Sequence, residues 1–180
     1  LLNQLNWLYG QQGRGAEVIE QALEGWQTSR SLLGEEHVIT VWAMSNLGSI
    51  YLRQGRIEEA TPLLTRSAEL AGRILGEDHA GTILFTFRLA GLYDLQGRQE
   101  QSDALVIRLI DTSRRVHGEN HPQTGYIAYR LLRRAVELGS EGERQYLAGE
   151  FKAAAEAFRR SGEVRRALFG HPTPWEVARR

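Results

Sequence analysis

From Val38 to Gln54 the apolar side chains Val41, Met44, Leu47 and Tyr51 recur at steps of three and four residues. That spacing places them on one face of a helix. Gly55 follows, and glycine commonly sits just past a helix C-terminus. A second stripe runs from Ile57 to Leu75 through Ala60, Leu63, Leu64, Ala68, Ala71 and Ile74. Pro62 falls near the first turn of that segment, where proline is tolerated far better than in a helix interior. Small residues on the inner faces (Gly48, Ala60, Ala68, Ala71) let two helices approach closely along their length. No period-two alternation occurs, so the pattern predicts an all-α chain.

The same pattern returns every 42 residues. Residues 33–40, 75–82 and 117–124 read LGEEHVIT, LGEDHAGT and HGENHPQT, aligning Gly34, Gly76 and Gly118, then His37, His79 and His121, then Thr40, Thr82 and Thr124. Leu5, Leu47, Leu89 and Leu131 form another register, Tyr9, Tyr51 and Tyr93 a third, and Gly13, Gly55, Gly97 and Gly139 a fourth. Repetition at this period means stacked supersecondary units. The leucine and tyrosine registers are expected to face the packed interior. The units read as residues 1–32 (truncated), 33–74, 75–116, 117–169 and the start of another at 170–180. The fourth is longer by ten residues near 139–148, a stretch that reads either as an extended first helix or as a small extra loop. The first residue is Leu1 and the pattern begins and ends in mid-unit, so we expect a piece of a longer protein.

Acidic residues beside a repeated histidine raise the question of metal. His37, His79 and His121 enter each first helix and are followed by Val38, Ala80 and Pro122. Proline is at home at a first helical position, and the preceding acids suit the positive end of the helix dipole. Equivalent positions in stacked units lie one helix diameter apart, roughly 10 Å, whereas a zinc ion holds its ligands at about 2 Å. The histidines therefore read as caps, with no metal and no cofactor. The absence of cysteine removes disulfides and zinc–thiolate sites.

Net charge is zero, so no overall pull toward nucleic acid or anionic membrane is expected. The balance is uneven: residues 130–180 carry 11 basic and 7 acidic side chains. Arginines 133 and 134, 159 and 160, and 165 and 166 stand in pairs but are spread along helices, and they read as solvated surface. No apolar run is long enough to span a membrane. No nucleophile elbow or phosphate-cradling loop is present; residues 10–15, GQQGRG, read as a turn.

The segments NLGSIYLRQGRIEEA (46–60) and RLAGLYDLQGRQEQS (88–102), with QLNWLYGQQGRGAEV (4–18) as a looser copy, resemble the tetratricopeptide repeat. The 42-residue period and the Gly-Glu-Asp-His-Pro-x-Thr linker are similar to the kinesin light chain subtype. The resemblance implies an α-solenoid of about four helix pairs wound into a right-handed superhelix, whose concave groove is lined by the first helix of each pair. It further implies that Asn and Arg at the position before the core leucine hold a partner's main chain or carboxylates.

In this chain that position is occupied by Gln4, Asn46, Arg88 and Arg130. Trp42, Arg53, Phe87, Tyr129 and Arg133 are the neighbouring groove candidates. An Asn amide both donates to and accepts from a peptide unit, and Arg forks onto a carboxylate. We therefore expect a cytoplasmic, non-catalytic segment of a larger bacterial regulatory or scaffolding protein, binding a protein or peptide partner with acidic residues. Two alternatives stand beside it: the regulatory or sensor arm of a protein kinase or ATPase, and a nucleic-acid surface on the basic C-terminal third. If the linker histidines are structural, chelator treatment leaves helicity and melting temperature unchanged. Stoichiometric zinc or nickel that survives dialysis and disappears in His79→Ala contradicts that.

Overall fold

The computed structural model describes residues 15–170. They form seven helices: α1 (Gly15–Leu33), α2 (Val38–Arg53), α3 (Ile57–Leu75), α4 (Ala80–Leu95), α5 (Gln99–His117), α6 (Pro122–Leu147) and α7 (Phe151–Phe169). There is no strand among the described residues. The chain divides into two compact units, residues 1–99 and 100–180. Gln4, Leu5, Tyr9 and Gly13 lie outside the described residues, as does the incomplete last unit beyond Gly170.

The linker letters each do one thing. The Nδ1 atoms of His37, His79 and His121 accept from the N–H groups of Ile39 (3.3 Å), Gly81 (3.0 Å) and Gln123 (3.2 Å). The three histidines are thus the N-caps of α2, α4 and α6, each satisfying a donor the helix itself leaves open. Thr82 Oγ1 donates to the Ala71 carbonyl at 3.1 Å, and Thr124 Oγ1 to the Ser113 carbonyl at 3.3 Å. α4 and α6 are thereby each stapled to the last turns of the helix before them. The acids find arginines: Glu35 meets Arg66 at 2.8 Å, Glu119 meets Arg114 at 3.0 Å, and Glu36 pairs with Arg73. The Arg66 hydrogen bond holds the Glu35 carboxyl below its ordinary range. Exposed pairs of this kind contribute little to stability.

The turns between first and second helices are Schellman motifs. In α2 the Gly55 N–H returns to Leu52 O and the Arg56 N–H to Tyr51 O; after α4, Gly97 and Arg98 do the same to Asp94 and Tyr93. Gly55 and Gly97 have φ of 73° and 72°, a region that costs other residues roughly 1–2 kcal/mol. The tyrosines are not interior, as the sequence pattern suggested, but half-buried. The Arg56 guanidinium lies 4.6 Å from the Tyr51 ring centroid and Arg98 lies 4.1 Å from that of Tyr93. The Tyr-x-x-x-Gly-Arg register is one device: the turn brings the arginine back over the ring it began from.

In the first unit α3 is shared between its neighbours. Val41 and Met44 of α2, Leu70 and Ala71 of α3 and Phe85 of α4 form a buried cluster, with Trp26, Leu63, Ala68, Leu75 and Leu84 against it. A fully buried side chain of this size contributes roughly 1.5–3 kcal/mol. Gly48 sets the α2–α3 spacing: a β-carbon there would lie 2.9 Å from Leu64 Cγ. The leucine register is interior as expected, with Leu47 1%, Leu89 9% and Leu131 1% exposed.

In the second unit residues 139–147 continue the first helix, giving α6 its 26 residues against 16 for α2 and α4. Gly139 therefore does not occupy the turn to which its 42-residue spacing assigned it. It lies inside α6, near Ser161 and Arg165. The turn glycine is Gly149 (φ 79°), whose N–H returns to Tyr146 O while Glu150 N–H returns to Gln145 O. Ten residues make about 2.8 helical turns, so the two ends of α6 follow different registers. Thr124 and Leu131 lie 84 residues after Thr40 and Leu47, but Gly142 and Phe158 lie 94 after Gly48 and Leu64. The close approach recurs in the later register: a β-carbon at Gly142 would meet Phe158 Cε1 at 2.8 Å. Asp103 also binds α5 to both neighbours, 3.1 Å from Arg134 and 3.2 Å from Arg160.

The threonine register allows a signed test. Thr40 is fully buried and its hydroxyl has no hydrogen-bond partner, unlike Thr82. An unpaired buried hydroxyl costs about 1–3 kcal/mol, while a paired one contributes about 1 kcal/mol. Thr40→Val is expected to raise the melting temperature and Thr82→Val to lower it, measured by thermal circular dichroism. Shifts of the same sign in both would contradict the staple.

Candidate functional site

Because α3 packs against both α2 and α4, those two first helices lie side by side in the first unit, and their aligned residues meet across the gap. Arg88 of α4 reaches back to α2: its Nη1 donates to Ser45 Oγ at 2.8 Å and to Asn46 Oδ1 at 3.0 Å. Asn46 and Arg88 are the same position of successive repeats. The sequence suggested two separate groove contacts; the fold joins them to each other.

Beside this bridge is a pocket of about 240 Å³ lined from three helices. Val18, Gln21, Ala22 and Gly25 come from α1, Ala43, Asn46, Ser49, Ile50 and Arg53 from α2, and Arg88 from α4. Ser49 Oγ donates to the Ser45 carbonyl at 2.8 Å, a back-bond along the helix. Arg88 is half-buried. Burial and then repulsion from Arg53 push its pKa down to about 10. Crowding around Arg53 lowers that residue too, by desolvation. Among the described residues no carboxylate pairs with either arginine.

The other groove candidates are placed differently. The rings of Trp42 and Phe85 meet edge-to-face at 4.6 Å between centroids, and Trp42 is 36% exposed, so it is both packing and surface. Phe87 is half-buried on α4. In the second unit Arg130 donates to Ser102 Oγ, Arg133 pairs with Glu137 one turn on at 3.2 Å, and Tyr129 is 61% exposed. Gln21 of α1 carries a polar group into the pocket that first-helix reasoning could not supply, because α1 is a second helix.

Chemically the pocket offers hydrogen-bond donors and positive charge, with no nucleophile or base set to act on a bound group. No cluster of three or more His, Cys, Asp or Glu side chains among the described residues is arranged to hold a metal ion. No helix among them is long and apolar enough to cross a membrane.

The family model for the tetratricopeptide repeat matches residues 8–71 and 39–106, more than half the sequence. The chain belongs to the tetratricopeptide repeat family. Its fold is an all-α helical repeat like that of kinesin light chain-like proteins of known structure. Against BtubC (BKLC) from P. vanneervenii the TM-score is 0.57 at 21% identity over 94% of this chain. The chain spans 64% of that protein's length. Against a putative kinesin light chain of Podosopora anserina with nearly identical repeats the TM-score is 0.62 at 15% identity, covering 93% of this chain and 95% of that one. A single-residue variant of the latter gives 0.63 at 15% identity, covering 93% of this chain and 94% of that one. No curated protein sequence matches the chain significantly. Tetratricopeptide repeats are generally non-catalytic and mediate protein–protein interaction, and this chain is a protein-interaction repeat scaffold of that kind.

Proposed function

We propose that the first unit holds a segment of a protein partner along the exposed face of α2 and α4, with Asn46, Arg53 and Arg88 as its polar contacts and Trp42 at its edge. One observation carries the reading: Asn46 and Arg53 of one repeat and Arg88 of the next converge on a single pocket. A pocket with a few convergent polar groups is the default binding site of a fold. The backbone that holds them is a rigid packed core rather than a loop, so a partner finds the contacts already set. Preorganisation of this kind lowers the ordering cost of association. On the second unit, Arg133 of α6 stands at the position equivalent in sequence to Ser49, which lines the pocket of the first unit, with the exposed Tyr129 one turn before it, and we assign this face partner contact by the equivalence of Arg133 with Ser49.

The test is a random peptide library selected on the immobilised chain, followed by titration of the winners. Ser49→Trp fills the pocket from α2 and is expected to weaken binding by about tenfold or more, the scale of losing a contact worth about 1.4 kcal/mol. Arg159→Ala, on α7 and tied to Glu156 and Glu163, is expected to leave affinity unchanged. Selected peptides that bind Ser49→Trp as well as the parent chain would place the site elsewhere.

A further inference from the structure

In the second unit α5 covers one side of the α6–α7 pair. Arg130 donates to Ser102 Oγ, and Arg134 and Arg160 both reach Asp103. At 3.6 residues per turn, Leu132 and Val136 of α6 and Phe151 and Phe158 of α7 fall on the opposite side, facing away from α5. Tyr146 joins them at the turn, where its ring and that of Phe151 meet edge-to-face at 5.5 Å between centroids. These five side chains are between 36% and 63% exposed. The turns of the first unit are built differently. There Arg56 covers Tyr51 and Arg98 covers Tyr93, whereas the residue after Gly149 is Glu150.

A large apolar side chain has roughly 150–250 Å² to bury, so about half of five amounts to roughly 400 Å². Apolar patches of that size mark contact sites. At the apolar share of about 60% found in interfaces, two such faces together bury on the order of 1,300 Å², within the range of specific protein pairs.

Two charged groups on this face have no ion pair among the described residues, Glu143 of α6 and Arg165 of α7. The Arg165 guanidinium lies over Gly139, 3.8 Å from where a β-carbon would stand. Glu143 is one helical turn further along α6. Opposite charges displaced along one face make that face complementary to itself. Half a revolution about an axis normal to it, passing between Gly139 and Glu143, sets Glu143 against Arg165 and Arg165 against Glu143. The same operation brings Phe151 over Leu132, and Phe158 over the small residues Gly139 and Ser140 near the axis. Self-complementarity under a two-fold axis is the requirement of an isologous dimer.

We infer that the face of α6 and α7 turned away from α5 is a dimer interface, occupied by the same face of a second copy of this chain in antiparallel orientation.

The experiment measures association of the whole 180-residue chain by sedimentation velocity and light scattering, up to about 100 µM, where a micromolar pair is mostly dimeric. The parent chain is expected to be a dimer there. Val136→Lys places a charge on the apolar face, and Glu143→Arg or Arg165→Glu sets like charges opposite each other. Each is expected to raise the dimer Kd about tenfold or more, with unchanged circular dichroism. Mixed in equal amounts, the Glu143→Arg and Arg165→Glu chains are expected to pair with each other, because the two-fold axis then joins opposite charges at both contacts. A parent chain that stays monomeric would overturn the inference and leave the face to a further helix of the array or to a foreign partner. So would a dimer indifferent to Val136→Lys, or two folded charge variants whose mixture fails to pair. If Arg165→Glu loses helix, Val136→Lys and Glu143→Arg decide the matter alone.

Discussion

In the first unit α3 serves two neighbours at once. Its Leu70 and Ala71 close against Val41 and Met44 of α2 and against Phe85 of α4 in one cluster. That sharing places α2 and α4 side by side against α3. Residues 42 or 43 apart in sequence, Asn46 and Ser45 with Arg88, then come within hydrogen-bond distance. The candidate site is thus a by-product of the stacking rule. The stacking is enforced by small residues where backbones close in, as at Gly48, and by the histidine caps and threonine staples at the linkers.

The second unit shows how much the rule tolerates. Ten inserted residues do not loop out, because a loop would leave its backbone groups to water or to unpaired burial, while continuing α6 pairs them along the helix. The cost is a change of face: ten residues fall short of three full turns. The chain meets it by starting a new register, with Gly142 on Phe158 in place of Gly48 on Leu64. Arg114 of α5 reaches the carbonyls of Ala167 and Leu168 at the end of α7, satisfying acceptors that a helix C-terminus leaves open. Arg134 and Arg160 share Asp103, so part of the basic surplus of this region is tied into the unit's own packing.

The helices were legible because their spacing and punctuation are local. His37, His79 and His121 declared themselves as caps by standing just before each apolar period, and the leucine register declared the interior. What was not legible depends on contacts between repeats. Nothing in the spacing of Gly139 distinguishes it from Gly55 or Gly97, since only the helix continuing past it shows that the turn has moved to Gly149. Tyr51 and Tyr93 looked interior because aromatic residues at a core period usually are; their burial is partial because the returning arginine supplies the cover. Asn46 and Arg88 were chosen as neighbours of the core leucine, but their bond to each other needs the distance between α2 and α4. Gln21 carried no signal at all from its place on a second helix.

Nearest-neighbour packing within the first unit builds both the core and the candidate site. The most direct measurement of this is on a fragment comprising residues 1–99, followed by circular dichroism, thermal melting and titration with a peptide selected on the full chain. Arrays stabilised by nearest-neighbour contacts survive shortening. The expected result is a cooperative melt at lower temperature, helicity retained, and peptide affinity within about threefold of the parent, a difference under about 1 kcal/mol. Loss of helix in the fragment, or a folded fragment that no longer binds the peptide, would contradict it.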